Sequence, residues 1–259
     1  MNRTVSVSKL LARKLAHRGW RCFLRGRSRP WQPSPGRRYV VIAPHPDDET
    51  LGCGGLIALS RALGAAVDVV FLTDGSASLP NHPDWAPERL ATLRAQEAEA
   101  ALRILGVTPE HIHFLGVPDG RLAHLDPGEQ RDLTARLGAL FRRLPPDGTV
   151  LPWRHDGSSE HEAAFPIITE ALRHSCSTSP MLEYPVWAWW SPRLLASFAL
   201  VGRQIRRVPT STVLDRKRRA MEEYRSQIHP IPPWTKPALP AGFPQFFLGL
   251  SEYYLSSSP

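Results

Sequence analysis

Between Tyr39 and Val186 the chain alternates short apolar runs with longer stretches of helical periodicity. Tyr39–Ala43, Ala66–Thr73, His111–Leu115, Thr149–Pro152 and Met181–Val186 read as strands. Leu51–Leu63, Glu88–Leu105, Gln130–Leu144 and Glu160–His174 read as helices. Gly106 supplies a C-cap signal for the second of these. A chain that alternates in this way buries its strands in a mostly parallel sheet with helices on both faces. The expected fold class is therefore α/β, a Rossmann-like doubly wound sheet. Beyond residue 187 the pattern changes. Trp187, Trp189 and Trp190 precede a Pro-broken apolar stretch, a charged helix spans Leu214–Gln227, and a last amphipathic helix is expected near Phe243–Leu255. Residues 187–259 are read as a C-terminal elaboration of the domain 39–259, packing near the site.

Directly behind the first strand stands His45-Pro46-Asp47-Asp48-Glu49. The carboxyl end of a strand is where an open α/β sheet presents chemistry. An imidazole and carboxylates suit Zn²⁺ or another divalent ion, and a spare carboxylate can act as a base. Pro46 stiffens the turn. Glu49 is expected to cap the following helix. Gly54-Gly55 is expected to allow close backbone approach, and Gly52–Gly55 lacks the spacing of a dinucleotide loop. A catalytic zinc needs a third protein ligand, which should come from the end of another strand. His161 and His155, in the loop Trp153–His161 after the fourth strand, are the candidates. His111, His113 and His124 are taken as ordinary strand or loop residues, and the Trp187–Trp190 cluster as core or interface.

The net charge of +8 dissolves once it is located. Residues 1–38 hold eleven Lys or Arg and no acid, which leaves 21 basic against 24 acidic residues in the remainder. The body is thus slightly acidic, which argues against a nucleic-acid partner. Within this basic arm, Val5, Leu10, Leu11, Leu15, Trp20, Phe23 and Leu24 interleave with the charges. Such a stretch suits either peripheral contact with an anionic membrane or a helix packed on the domain, and the linker Arg27–Arg38 follows it. Neither a secretory signal nor a membrane span is readable. Three widely spaced cysteines point to reduced thiols and a cytoplasmic location, with peripheral membrane contact placed at the inner face.

The segment Ala43-Pro44-His45-Pro46-Asp47-Asp48-Glu49-Thr50-Leu51-Gly52-Cys53-Gly54-Gly55 resembles the signature of the LmbE-like, or PIG-L, zinc-dependent deacetylases. The resemblance runs from about Arg38 to the C-terminus. It takes in Leu72–Gly75, the helix around Arg94 and Glu97, Val117–Gly120, Trp153–His161 and Lys217–Gln227. It implies removal of acetyl from an N-acetylglucosamine-type sugar conjugate, small or lipid-linked. It further implies His45, Asp48 and His161 as metal ligands, Asp47 as general base, and Arg94 and Asp119 as groups that hold the sugar. One departure matters. The family's second motif usually reads His-Pro-Asp-His, whereas this chain has Ser158-Ser159-Glu160-His161. The ligand is kept, but Ser158 replaces an assisting imidazole. That loss implies either lower activity or a carbohydrate-binding role on a deacetylase scaffold.

Overall fold

The computed structural model describes residues 7–201 and 204–257; of 7–12 only the backbone is described, and Val5, one of the arm's apolar residues, lies outside. In chain order the elements are α1 (Val7–Arg27), β1 (Arg29–Pro30), β2 (Arg38–Ala43), α2 (Asp48–Ala62), β3 (Ala66–Thr73), α3 (Pro87–Leu105), β4 (Ile112–Val117) and α4 (Pro127–Arg143). They continue with β5 (Gly148–Pro152), α5 (Ser159–His174), β6 (Met181–Tyr184), α6 (Pro192–Leu200), β7 (Ile205–Pro209), α7 (Leu214–Glu222), α8 (Arg225–Ile228) and β8 (Ser251–Ser257).

Among the described residues these strands form one eight-stranded sheet in the order β1-β7-β8-β6-β5-β2-β3-β4. From β6 to β4 every pair is parallel, and β8 runs antiparallel to both β6 and β7. After β2 the chain winds outward to β3 and β4. It then returns to place β5 on the other side of β2 and moves on to β6. The point of reversal lies between β2 and β5, where an open parallel sheet leaves a crevice at its carboxyl edge. The expected doubly wound α/β architecture is present.

Strand alternation divides the core into two layers. Val41, Ala43, Val69 and Phe71 face one cluster with Leu56 of α2 and Leu102 of α3. Val40, Ile42, Val70 and Leu72 face the other, with Leu137 and Phe141 of α4 and Ile168 of α5. Gly106 ends α3 with φ +94°, as its C-cap position requires. At the opposite edge of the sheet from the crevice, buried Asp68 accepts from His111 Nδ1 at 2.9 Å and His113 Nε2 at 3.2 Å. Those histidines serve the frame of the sheet.

The C-terminal elaboration departs from expectation in two places. The helix expected near Phe243–Leu255 is a 3-10 turn at Phe243–Phe247 followed by strand β8. Ser251–Ser257 carries two adjacent tyrosines, which favour a pleated surface, and its neighbours β6 and β7 together satisfy both backbone edges. The single helix expected over Leu214–Gln227 is split into α7 and α8, with Tyr224 between them at ψ 51°. The linker also does more than connect: Arg29 and Pro30 pair with β7 at the sheet edge. Helix α1 packs on the body. Arg21 of α1 donates to the carbonyls of Ser251 (3.0 Å) and Phe246 (2.8 Å).

Helix α2 is held from within. Glu252 of β8 accepts from the backbone N–H groups of Gly55 (2.7 Å) and Leu56 (2.8 Å), while Lys217 Nζ donates to Leu51 O at 2.7 Å and to Glu252 at 2.6 Å. Gly54 and Gly55 admit these groups. A Cβ on Gly55 would lie 2.4 Å from Thr210 Cγ2, and one on Gly54 3.1 Å from Lys217 Cγ. The close approach expected at Gly54-Gly55 is therefore made by the elaboration's own side chains, and it braces the helix that begins within His45–Glu49.

Candidate metal centre and active site

The turn Pro44–Asp48 leaves β2 at the crevice, and the loop Trp153–Ser158 leaves β5 beside it. Asp47 sits at the N-cap of α2 with φ 138°, a conformation that costs a non-glycine residue of the order of 1–3 kcal/mol. Several contacts hold it there. Asp47 N donates to Glu49 Oε2 at 3.1 Å, and Leu51 N donates to Asp47 O at 2.8 Å. Gln227 Nε2 donates to Pro46 O, and Tyr224 Oη donates to Glu49. Glu49 is thus more than a cap. Fully buried and pushed up to about 7 by burial, it ties the strained turn to the elaboration.

Three ligand-type side chains converge on one point: His45, Asp48 and His161. Asp48 Oδ2 lies 3.1 Å from His45 Nδ1 and 3.1 Å from His161 Nε2. Ligand atoms around a tetrahedral Zn²⁺ with bonds of ~2.0–2.1 Å stand roughly 3.3 Å apart, so the spacing fits a single divalent ion. The tautomers fit as well. His161 Nδ1 is 2.8 Å from Asp156 Oδ2, which leaves Nε2 buried, without a hydrogen-bond partner and aimed at Asp48. His45 Nε2 is 2.6 Å from Glu160 Oε2, which frees Nδ1 for the same point. A carboxylate behind each ligating imidazole is the usual outer arrangement of a histidine metal site. A second acid-rich group, His45 with Asp119 and Glu160, also clusters. There His45 Nε2 is already engaged with Glu160, so the set in which one nitrogen of each imidazole faces Asp48 is the better ion site.

The electrostatics agree. Burial works to raise Asp48, but His161 and His45 outweigh it and hold its carboxyl below the ordinary range. Burial alone would lower His161; Asp48 and Asp156 overcome it and raise its pKa to about 9. Asp47 differs from its neighbour. Burial, reinforced by the charge of Asp48, pushes its carboxyl well above the usual range, against the pull of His45 and Arg94. A carboxylate of raised basicity beside a ligand cluster has the character of a proton acceptor.

These groups open onto a cavity of about 560 Å³ lined by His45, Asp47 and Asp48 and also by Arg94, Asp119, Ser158, Trp187, Gln227, Leu239 and Phe243. The positions anticipated from sequence are therefore brought together. Arg94 is buried and donates from Nη2 to Ser78 Oγ at 2.6 Å, leaving its Nε without a partner. Asp119 accepts from Ala77 N at 3.0 Å, with Oδ1 3.4 Å from His45 Nε2. His155, the competing ligand, is exposed beside Trp153 and outside the cluster. Among the described residues it belongs to neither ligand group and does not line the cavity.

Sequence reasoning missed Asp156. It is fully buried and accepts from the N–H groups of Val186 (3.0 Å), Trp187 (2.9 Å) and Ala188 (2.9 Å) as well as from His161. Its only signal was an acid in the loop before the ligand histidine. Trp187, Leu239 and Phe243 were also missed as pocket walls, since nothing local marks them.

Fold and site together define a doubly wound α/β protein with a His-Asp-His cluster at the sheet's switch point. Residues 40–172 match the PIG-L family, described as GlcNAc-PI de-N-acetylase, and the chain belongs to that family. A 1D-myo-inositol 2-acetamido-2-deoxy-alpha-D-glucopyranoside deacetylase of Mycolicibacterium vanbaalenii is 30% identical over 185 residues, 64% of this chain and 64% of that protein. Less than two-thirds of that relative's length is therefore matched. Teicoplanin deacetylase Orf2, in a zinc-inhibited form, shares the fold with a TM-score of 0.60 at 21% identity, over 86% of this chain and 98% of its own. The 4-carboxy-2-hydroxymuconate hydratase GalB of Pseudomonas putida does so with a TM-score of 0.65 at 18% identity, over 86% and 95%. The fold thus hosts more than one chemistry, and the argument for function rests on the site.

Proposed function

We propose that this protein is a metal-dependent N-deacetylase that hydrolyses the acetamide of an N-acetylglucosamine-type sugar conjugate to acetate and the free amino sugar. The observation that carries this reading is the buried, basic Asp47 next to a His45/Asp48/His161 cluster spaced for one ion. The family membership and the named activity of the 30%-identical relative support it. Zn²⁺ is the ion that the nitrogen and oxygen donor set favours; when bound it would polarise the acetyl carbonyl and acidify a water.

The chain's own residues supply the rest. Asp47 accepts the proton of the attacking water, and its raised basicity keeps that proton available for the departing amine nitrogen. Arg94 and Asp119, a donor and an acceptor on the same wall, hold sugar hydroxyls. Phe243, Leu239 and Trp187 exclude water from the apolar side of the ring. The proposed site of action is the cytoplasm, with peripheral contact at the inner face of the membrane; three unpaired cysteines support a reducing compartment.

Ser158 motivates a second reading, a sugar-binding protein of low turnover. Its side chain lines the pocket where the resemblance expects an imidazole, and among the described residues His45 is the pocket's one lining histidine. Two measurements separate the readings: metal content, and acetate release from a panel of N-acetylhexosamine conjugates with Zn²⁺ or another divalent ion. Asp47→Asn should keep the metal and lose about 10²- to 10⁴-fold in kcat. Sugar binding without turnover in the parent, with turnover gained in Ser158→His, would select the second reading. Absence of both stoichiometric metal and deacetylation would defeat the first.

A further inference from the structure

Helix α1 turns His17, Arg21 and Leu24 towards the body. His17 packs edge-on against Trp189 and Phe246, each at 4.9 Å. An amphipathic helix docked in this way should present a polar outer face. The outer face of α1 is instead apolar: Leu15 is 60% and Phe23 39% exposed, with Gly19, Cys22 and Gly26 also exposed. Other exposed apolar side chains belong to elements that α1 touches: Leu200 (63%) and Val201 (45%) end α6, which packs on α1, and Leu250 (62%) adjoins Ser251, whose carbonyl accepts from Arg21. These five account for most of the eight large apolar side chains exposed among the described residues. The cations Lys14, Arg18, Arg25 and Arg27 flank the strip, and residues 1–38 contain no acid to oppose them.

We infer that this face is a docking surface for an anionic lipid bilayer. Apolar side chains rimmed by one sign of charge match an interface of acyl chains beneath anionic headgroups. Nucleic acid would find cations there but no use for Leu15, Phe23, Leu200 and Leu250. Among the described residues no helix is long and apolar enough to cross a membrane, and the inferred contact is a peripheral one. The geometry also connects the face to the site. Arg13 of α1 lies 4.1 Å over the Trp190 ring, Trp190 meets Phe243 at 5.5 Å, and Phe243 lines the cavity. Helix α1 itself and one aromatic layer behind it therefore stand between the docked face and the pocket wall.

The inference does not depend on the proposed reaction, and its test uses no substrate. Full-length protein is sedimented with vesicles of phosphatidylcholine alone or with 30% phosphatidylglycerol (a roughly tenfold range of protein-to-lipid ratio suffices). Binding should need the anionic lipid, weaken with salt and fall at least tenfold in Leu15→Glu/Phe23→Glu. Leu200→Glu, on a different element, should weaken it too, so a folding defect confined to α1 does not decide the result. Circular dichroism of each variant should match the parent. Equal partition onto neutral and anionic vesicles, or full binding by the folded variants, would overturn the inference. So would a dimer that Phe23→Glu dissociates, which would make the face a self-interface, or RNA binding that the glutamates leave intact.

Discussion

Asp156 Oδ2 stands 2.8 Å from His161 Nδ1, and the same carboxylate accepts three backbone N–H groups from Val186 to Ala188. One buried side chain thereby sets the tautomer of a candidate ligand and stitches the β5 loop to the turn after β6. Asp156→Asn keeps the shape but weakens the acceptor for His161. Metal affinity, measured by chelator competition, should fall roughly 10- to 100-fold, with activity recovering at high metal concentration. An unchanged affinity would show that His161 needs no partner behind it.

The raised pKa of His161, about 9 against 6.5 in its ordinary state, links stability to pH. A histidine whose pKa is raised by folding contributes its stability fully below pH 6.5 and loses it as pH climbs through about 9. His45, also raised, acts in the same direction. Metal-free protein should therefore show a falling Tm between pH 6.5 and 9. A bound ion requires the neutral imidazole, so metal affinity should rise across the same window with proton release. Calorimetry of metal binding in two buffers of different ionisation enthalpy reads that release. Binding without proton uptake by either buffer would remove His161 from the ligand set.

Lys217 and Glu252 form a buried pair inside the hydrogen-bond ladder of α2. Lys217→Met leaves Glu252 charged and unpaired, and should cost about 3–5 kcal/mol by denaturant unfolding. Adding Glu252→Gln should recover part of the loss, because the amide oxygen can still accept from α2. A loss below about 1 kcal/mol would mean that the pair is solvated in solution.

The cavity beside His45 and Asp48 continues past Ser78 and Ala238 into a groove of about 440 Å³ that contains Trp234 and Lys236. Trp234 is 42% exposed and rests edge-on to His82. Stacking on such a ring is worth ~0.5–1.5 kcal/mol, so Trp234→Ala should raise KM roughly 2- to 12-fold for conjugates that extend beyond the acetylated sugar. KM for N-acetylglucosamine itself should not move. Equal effects on both would place the groove outside the substrate path.

Much of this site could be read along the chain because its parts are local. Tyr39–Ala43 followed by His45-Pro46-Asp47-Asp48 joins a buried strand to its candidate turn within ten residues, and the strand–helix rhythm places that turn at the sheet's edge. His161 stood out less by position, where His155 competed with it, than by the family resemblance. The split of α7 from α8 was not legible, since Tyr224 leaves the helix to reach Glu49, a contact across 175 residues. Nor was β8, whose strand state depends on two neighbours of opposite origin.

The sequence by itself thus determined the doubly wound sheet, because periodicity acts over short range, and offered His45, Asp47, Asp48 and His161 as candidates through a local motif and a family resemblance. Only the tertiary structure decided which nitrogen of each imidazole faces Asp48, through Glu160 and Asp156. It also decided how Asp47 is held at φ 138°, and which walls close the pocket. Those outcomes depend on burial and on hydrogen bonds between distant segments, and such partners meet only after the chain has folded.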